Sequence, residues 1–199
     1  MLRNWMLGVV TCALWLVAGA ASAEPRYFEL TGTVTRSENP RIAQVGSTFR
    51  ATFNYDDATV GSYPQDAFGI YDLDAAFVAT VDGHLLLSDR TLITTYHVNS
   101  PASLFDLYST PGLMIDQRFL PEAFMGFRLI GNGLQGRELP ATFDLSQFHY
   151  AAGEVMLDGN STVLLEFSVD AIVNLSSPPP SPCLKHNGKP DRHCKDPLH

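Results

Sequence analysis

An alternation of apolar and polar residues between positions 46 and 57 constrains this chain more than any other feature. Apolar residues stand at every second position there, and they are Phe49, Ala51, Phe53 and Tyr55. Side chains two apart on a strand share one face, so the stretch predicts a β-strand with an aromatic core face and a polar face. Asp56 and Asp57 end the pattern.

The same period of two recurs along most of the chain. No window of helical length shows an apolar stripe with a period of 3.6 residues, so the pattern predicts an all-β fold. About nine short strands separated by turns are typical of an antiparallel β-sandwich, and we expect a jelly-roll-like one. The predicted strands are residues 26–35, 46–57, 69–81, 84–87, 91–98, 104–108, 124–130, 154–157 and 162–175.

Turn-forming residues separate these strands. Asp82-Gly83 predicts a tight hairpin, because glycine takes the positive φ that such a turn demands. Residues 113–122 fit no single pattern, and residues 139–148 are predicted as a loop with one helical turn.

Residues 1–23 have the features of a signal peptide. Arg3 precedes an apolar run, and Ala21-Ser22-Ala23 offers the small-residue pattern of a cleavage site. We expect a mature chain that begins at Glu24 and is secreted, to the periplasm or outside the cell; the alternative is an uncleaved anchor helix. No later segment has the roughly 18 unbroken apolar residues of a membrane helix, so no membrane span is expected after cleavage.

The character of the chain changes after a predicted β-sandwich domain at residues 24–175. Residues 176–182 form a proline-rich linker, and residues 183–199 form a tail that holds all three lysines. The formal net charge of the chain is −8. Because this charge repels phosphates, the composition argues against nucleic-acid binding.

The tail contains the two cysteines that remain after signal cleavage, Cys183 and Cys194. In an exported chain, two cysteines most simply form one disulfide. His186 and His193 would complete a set of two thiolates and two imidazoles for a tetrahedral zinc site, so metal binding stays open, as do free thiols.

Aspartates cluster around the loop that follows the second predicted strand. Their oxygens are a weak candidate calcium site, although the spacing matches no known calcium loop and solvated carboxylates are the simpler interpretation. These residues are Asp56, Asp57, Asp66, Asp72 and Asp74. The histidines at positions 84, 97 and 149 occur singly, which is typical of surface or packed residues.

Several stretches carry a resemblance to a known group of proteins. They are the signal peptide, F-E-L-T-G-T-V-T, G-S-T-F-R-A-T-F-N-Y-D, G-I-Y-D-L and the strand after Asp158-Gly159-Asn160. Together they resemble secreted bacterial β-sandwich proteins that often carry a PEP-CTERM sorting tail. That resemblance implies a surface or secreted protein and brings no catalytic residues. The apolar helix and basic cluster of the sorting tail are not found here, so free secretion or periplasmic retention is expected.

The chain has no G-x-S-x-G elbow, H-E-x-x-H motif or phosphate-binding glycine loop. We therefore expect a non-enzymatic cell-surface or extracellular-matrix component without a cofactor. One alternative is a carbohydrate-binding module for extracellular polysaccharide, in which Tyr63 and Tyr71 would stack on sugar rings, although both tryptophans lie in the signal peptide. Another is an unrecognised glycoside hydrolase-like enzyme, whose paired carboxylates a sequence does not reveal.

Overall fold

Antiparallel β-strands form the regular structure of this chain. A computed structural model describes residues 25–56, 59, 61, 68–97, 103–109, 112–116, 118–134, 136, 138–157 and 162–179. Within them lie twelve strands and one 3-10 turn, Leu145–Gln147. The strands are β1 Pro25–Ser37, β2 Thr48–Asp56, β3 Phe68–Leu73, β4 Phe77–Val81, β5 His84–Ser88, β6 Thr91–His97, β7 Ser103–Ser109, β8 Leu113–Ile115, β9 Arg118–Leu120, β10 Phe124–Gly131, β11 Phe148–Leu157 and β12 Thr162–Leu175.

All twelve strands belong to one hydrogen-bonded sheet, in the order β3-β6-β7-β10-β11-β12-β1-β2-β4-β5-β8-β9. Every neighbouring pair is antiparallel. The all-β, antiparallel prediction is therefore confirmed. The count of about nine strands is too low for the described residues, because residues 69–81 form two strands and residues 113–122 contain two more.

The sheet curls around a single aromatic core. Phe53 of β2 and Phe127 of β10 have ring centroids 5.3 Å apart, although three strands separate β2 from β10 in the sheet. In a flat sheet four strand spacings amount to about 19 Å. The two halves of the sheet therefore face each other across the core, as a half-barrel.

The alternation between residues 46 and 57 holds in the structure. Phe49, Ala51, Phe53 and Tyr55 are all buried in the core. Phe28 of β1 stacks on Phe53, with ring centroids 5.0 Å apart. The opening feature of the sequence thus forms the centre of the core, as its pattern predicts.

The prediction of one strand over residues 69–81 is wrong. The chain leaves the sheet at Asp74, and the two resulting strands lie far apart: β3 pairs with β6 at one edge, whereas β4 pairs with β2 and β5. Tyr71 and Phe77 are both buried. The buried residues stand at odd-numbered positions both before and after the break, so the alternation alone does not reveal it.

The hairpin predicted at Asp82-Gly83 is confirmed. Both residues have positive φ, 48° and 80°, and they join β4 to β5. Two positive φ values match the right-handed twist of the flanking strands. The closing strand β12 begins and ends where the alternation predicts, but Val173 is 53% exposed and does not share the core face.

Candidate functional site

The acidic cluster after β2 is only partly within the described residues. Arg90 donates to Asp72 at 2.6 Å and lies 3.5 Å from Asp74, so these carboxylates form a surface ion-pair group. Asp56 ends β2, and Asp57 and Asp66 lie outside the described residues. No group of three potential metal ligands occurs among the residues that the structure describes.

Of the predicted disulfide and sugar-stacking residues, the structure describes only Tyr71. Cys183, Cys194 and Tyr63 lie outside the described residues. Tyr71 is only 4% exposed and belongs to the core, so its prediction as a sugar-stacking residue is wrong. Any aromatic surface for a ligand must come from other residues.

One such surface is a shallow groove of about 250 Å³ on the face of the sheet opposite the core, and we call it the outer groove. It crosses β10, β11 and β12. The side chains that give it chemical character are Tyr108, Arg128, Tyr150, Glu154 and Glu166. None of them belongs to a sequence motif, because antiparallel register brings them together from four separate strands.

A buried carboxylate fixes the cation of the outer groove. Asp106 of β7 stands opposite Arg128 of β10 and is 3% exposed. Arg128 donates from Nε and from an Nη to the two carboxylate oxygens, at 2.7 and 2.8 Å. Tyr108 donates its hydroxyl to the same carboxylate at 2.5 Å. This bidentate geometry orients the guanidinium at the groove.

The network changes the acidity of its members. Burial and the Asp106 carboxylate raise the pKa of Tyr108 to about 12. The hydrogen bonds from Arg128 to Asp106 raise the pKa of the guanidinium as well. Tyr108 therefore remains a neutral hydroxyl donor, and Arg128 a permanent cation, at any physiological pH.

Small residues keep the floor of the groove low. Gly126 and Ala152 lie in it. A Cβ on Gly126 would lie 2.5 Å from the Leu107 carbonyl oxygen and 2.8 Å from Tyr108 Cδ1, so only glycine lets the Tyr108 ring lie there. The Tyr150 side chain is 47% exposed and offers an accessible ring.

Two carboxylates also line the outer groove. Glu154 of β11 and Glu166 of β12 stand directly opposite each other. Arg36 donates to Glu166 at 3.1 Å, whereas Glu154 has no hydrogen-bond or ion-pair partner among the described residues. Glu154 is thus available as a hydrogen-bond acceptor.

A second concavity, of about 740 Å³, lies beside the hairpin formed by β8 and β9, and we call it the hairpin cleft. Its walls are largely apolar, with polar groups at a few positions. Its lining comprises Asn39, Ile42, His84, Ile115, Asp116, Arg118, Leu120, Pro121, Glu122, Ala123, Leu157 and Leu164.

His84 of β5 links its own strand to the β1–β2 loop and to the turn after β8 at this cleft. Its Nδ1 lies 2.7 Å from Asp116 Oδ2, and its Nε2 lies 3.0 Å from the Arg41 carbonyl oxygen. Both partners accept hydrogen bonds, so both bonds form only when the ring carries a proton on each nitrogen. The hydrogen bond to Asp116 raises the pKa of His84 accordingly. The sequence shows no partner pattern for His84, and the structure supplies both partners from distant parts of the chain.

The same turn holds a neighbouring loop. Asp82 accepts hydrogen bonds from the Gln44 amide at 3.1 Å and from the Ser47 hydroxyl at 2.5 Å. These bonds lower the pKa of Asp82. The β4–β5 turn and the β1–β2 loop are therefore tied together next to the cleft.

At His84, neither ring nitrogen is left free for a substrate. A histidine with one nitrogen on a carboxylate resembles a catalytic dyad, but the Arg41 carbonyl occupies the nitrogen that would take a proton from a substrate. His149 is exposed. The side chain of His97 lies outside the description.

No protein-family model, curated protein or solved structure matches this chain. In the part of the chain that the structure describes, no helix has the length and apolar character to cross a bilayer.

Proposed function

We propose that this chain is an exported, non-enzymatic component of the cell surface or extracellular matrix that binds polysaccharide at the outer groove. The observation that carries the proposal is the constellation in that groove. An Arg128 guanidinium, oriented by a buried carboxylate, lies in the same groove as two tyrosine rings and the free acceptor Glu154.

The chemistry of the groove suits a sugar polymer. Sugar rings present apolar C–H faces, which pack on aromatic rings such as that of Tyr150, and hydroxyls, which need fixed donors and acceptors. Arg128 supplies the donors and Glu154 the acceptor. A shallow, open groove suits a chain that continues beyond the site at both ends.

The arrangement of the carboxylates supports a binding role over hydrolysis. Glycoside hydrolases place their two carboxyl groups on either side of the scissile bond. Glu154 and Glu166 stand side by side on one face of the sheet, so both meet the same side of a bound sugar. In addition, Arg36 engages Glu166. A glycoside hydrolase-like activity therefore has less support, although this pair is where it would reside.

The cellular setting and family are part of the proposal. The signal-like residues 1–23 and the resemblance to PEP-CTERM-associated proteins support secretion, and cleavage after Ala23 would leave Glu24 as the first residue. The two facing halves of the sheet, with Phe53 against Phe127, support a jelly-roll-like, sandwich-type description. Amino-terminal sequencing of the exported protein tests the cleavage site.

Native gel electrophoresis through embedded polysaccharides tests the binding. A panel of neutral and acidic bacterial exopolysaccharides should include at least one that retards the protein. Tyr150→Ala and Glu154→Gln should each lower the affinity measured from that retardation about tenfold, the effect of losing one ring or of replacing a charged hydrogen-bond acceptor by a neutral one. Phe119→Ala removes an exposed ring outside the groove and serves as the matched control.

Two outcomes would contradict the proposal. Equal retardation of wild type, Tyr150→Ala and Glu154→Gln would remove the groove from the function. Release of reducing ends that Glu154→Gln and Glu166→Gln both abolish would replace binding with hydrolysis.

A further inference from the structure

A row of apolar side chains crosses the outer face of the sheet beside the outer groove. In this row Tyr96 of β6 stands opposite Leu104 of β7, which stands opposite Ile130 of β10. Ile130 in turn stands opposite Tyr150 of β11. We call these four residues the tyrosine row. Because Tyr150 also lines the outer groove, the row begins in the groove and leads away from it.

Both ends of the tyrosine row are exposed rings. Tyr96 is 37% exposed and Tyr150 is 47% exposed, whereas Leu104 and Ile130 between them are half-buried. Three strand spacings, about 14 Å, separate the two tyrosines, which is room for a chain of about four sugar units. A disaccharide would therefore reach only one of the two rings.

Hydrogen-bonding groups border the tyrosine row on one side. The next row on the same face, two positions along each strand, consists of Thr94, Asp106, Arg128 and Ala152. Arg128 uses Nε and one Nη for Asp106 and Tyr108, and its second Nη has no partner among the described residues. A ligand here would meet apolar contacts along one line and donors along the next. A sugar chain has this pattern at every ring, with apolar faces and hydroxyl edges.

The charges beside the row favour a neutral chain. The Arg128 charge is compensated by Asp106, and the Glu166 charge is compensated by Arg36. Glu154, in the same groove, has no ion-pair partner among the residues that the structure describes. This surface therefore carries an excess of negative charge, which opposes polymers rich in carboxylates or sulfates.

We propose that the polysaccharide of the proposed function is a neutral, linear glycan, and that it runs from Tyr150 across the strands to Tyr96. This ligand class rests on the proposed function, because Tyr150 belongs to the outer groove as well. Tyr96 is the second stacking ring, and it selects chains of about four units or more over shorter ones.

Neutral oligosaccharides of defined length test the tyrosine row on the full exported chain. The probes are extended, β-linked chains, namely cello-, laminari- and manno-oligosaccharides of two to six units, and isothermal titration calorimetry measures their affinity. In at least one series the hexasaccharide should bind about fivefold more tightly than the disaccharide, because it gains a second ring contact. The mannuronate hexasaccharide, which is the acidic counterpart of mannohexaose, should bind less tightly than the neutral hexasaccharides that bind.

Variants of the protein separate Tyr96 from the outer groove. Tyr96→Ala should weaken binding of the hexasaccharide about fivefold and leave that of the disaccharide unchanged, whereas Tyr150→Ala should weaken both. Phe119→Ala removes an exposed ring outside the row and should change neither. Circular dichroism establishes that each variant folds. If Tyr96→Ala does not fold, Tyr96→Leu takes its place, because it keeps an apolar side chain without a ring.

Three results would overturn this ligand class while the proposed function stands. If Tyr150→Ala weakens binding and Tyr96→Ala does not at any chain length, the ligand is confined to the outer groove. If the mannuronate hexasaccharide binds more tightly than every neutral one, the ligand is acidic. If none of the neutral series binds although a polysaccharide retards the protein, the ligand is not a glycan of this class. If no polysaccharide retards the protein either, the proposed function fails as well.

Discussion

Two carboxylate–cation pairs on this sheet differ in their burial and in whether their cation needs a proton to be charged. Asp106 and Arg128 face each other on neighbouring strands, with the Asp106 side chain 4% exposed and a cation that never loses its charge. His84 and Asp116 join separate turns, with Asp116 half exposed and a cation that needs a proton. The cation of the first pair is charged at any physiological pH, whereas the second pair needs a charged His84 to hold its loops together.

The largest expected effect comes from removing the permanent cation. Arg128→Met leaves the Asp106 carboxylate buried without a compensating charge, which should lower the free energy of unfolding by about 3 kcal/mol. Urea denaturation measures the change. Arg36→Met is the matched control, because Arg36 pairs with exposed carboxylates of Glu38 and Glu166, and it should cost far less than Arg128→Met. Equal costs would show that burial does not distinguish the pairs.

The proton-dependent pair should reveal itself as a pH dependence. Because Asp116 raises the pKa of His84 above 6.5, folding is favoured by the charged ring. Its contribution, about 1 kcal/mol, is complete below pH about 6.5 and is lost as the pH rises through the folded-state pKa.

The variant His84→Gln isolates this contribution. Asp82 and Asp116 both raise the pKa of His84 and remain in the variant. The stability difference between wild type and variant, measured by urea denaturation, should shrink as the pH rises above about 6.5, the ordinary pKa of histidine. A stability difference that does not change with pH would mean that His84 stabilises the fold by packing and not by its charge. Arg128→Met should show no such trend.

A smaller effect is expected at Tyr108. Tyr108→Phe removes one of the hydrogen bonds to Asp106 but leaves the Arg128 pair, so we expect a loss of about 1 kcal/mol. In spectrophotometric titration of the wild type, one phenol should ionise at about pH 12, and this step should vanish in the variant. If both proteins titrate identically, the phenol of Tyr108 is not the one with the raised pKa, and its hydrogen bond to Asp106 is contradicted.

The smallest expected difference is in the response to salt. Raising sodium chloride to about 1 M should weaken the His84–Asp116 pair by a few tenths of a kcal/mol, because its carboxylate meets solvent. The buried Asp106 carboxylate should respond less. Salt titrations of His84→Gln and Arg128→Met against wild type measure both contributions, and a larger response at Asp106 would reverse the comparison.

The sequence predicts those parts of the fold that depend on near neighbours. The burial of Phe49, Phe53 and Tyr55 follows from a period of two, and the Asp82-Gly83 turn follows from the backbone freedom of its residues. Periodicity does not reveal the break at Asp74, because Tyr71 before it and Phe77 after it both fit the same alternation of buried positions. Strand order is beyond such reasoning, because pairing depends on residues far away in the chain.

The candidate sites could not be predicted for the same reason. Asp106 meets Arg128 across 22 positions and His84 meets Asp116 across 32, and no spacing rule links either pair. Glu154 and Glu166 come together only through the register of β11 and β12. The sequence offers one local indication. Asp106, Tyr108 and Arg128 alternate with core residues of their strands, which predicts that they lie on the outer face of the sheet but not which residues lie beside them.

The central position of β1 beside β12 has a consequence for how fast the chain acquires its structure. Thr33 and Ser168 are hydrogen-bonded neighbours although 135 residues separate them. The first and last strands join the two halves of the sheet, so the halves cannot be joined until the chain up to β12 is available. Sheets dominated by such distant pairings fold in about milliseconds to seconds, far more slowly than helical bundles. We therefore expect slow, late folding in which the final strand sets the moment of closure.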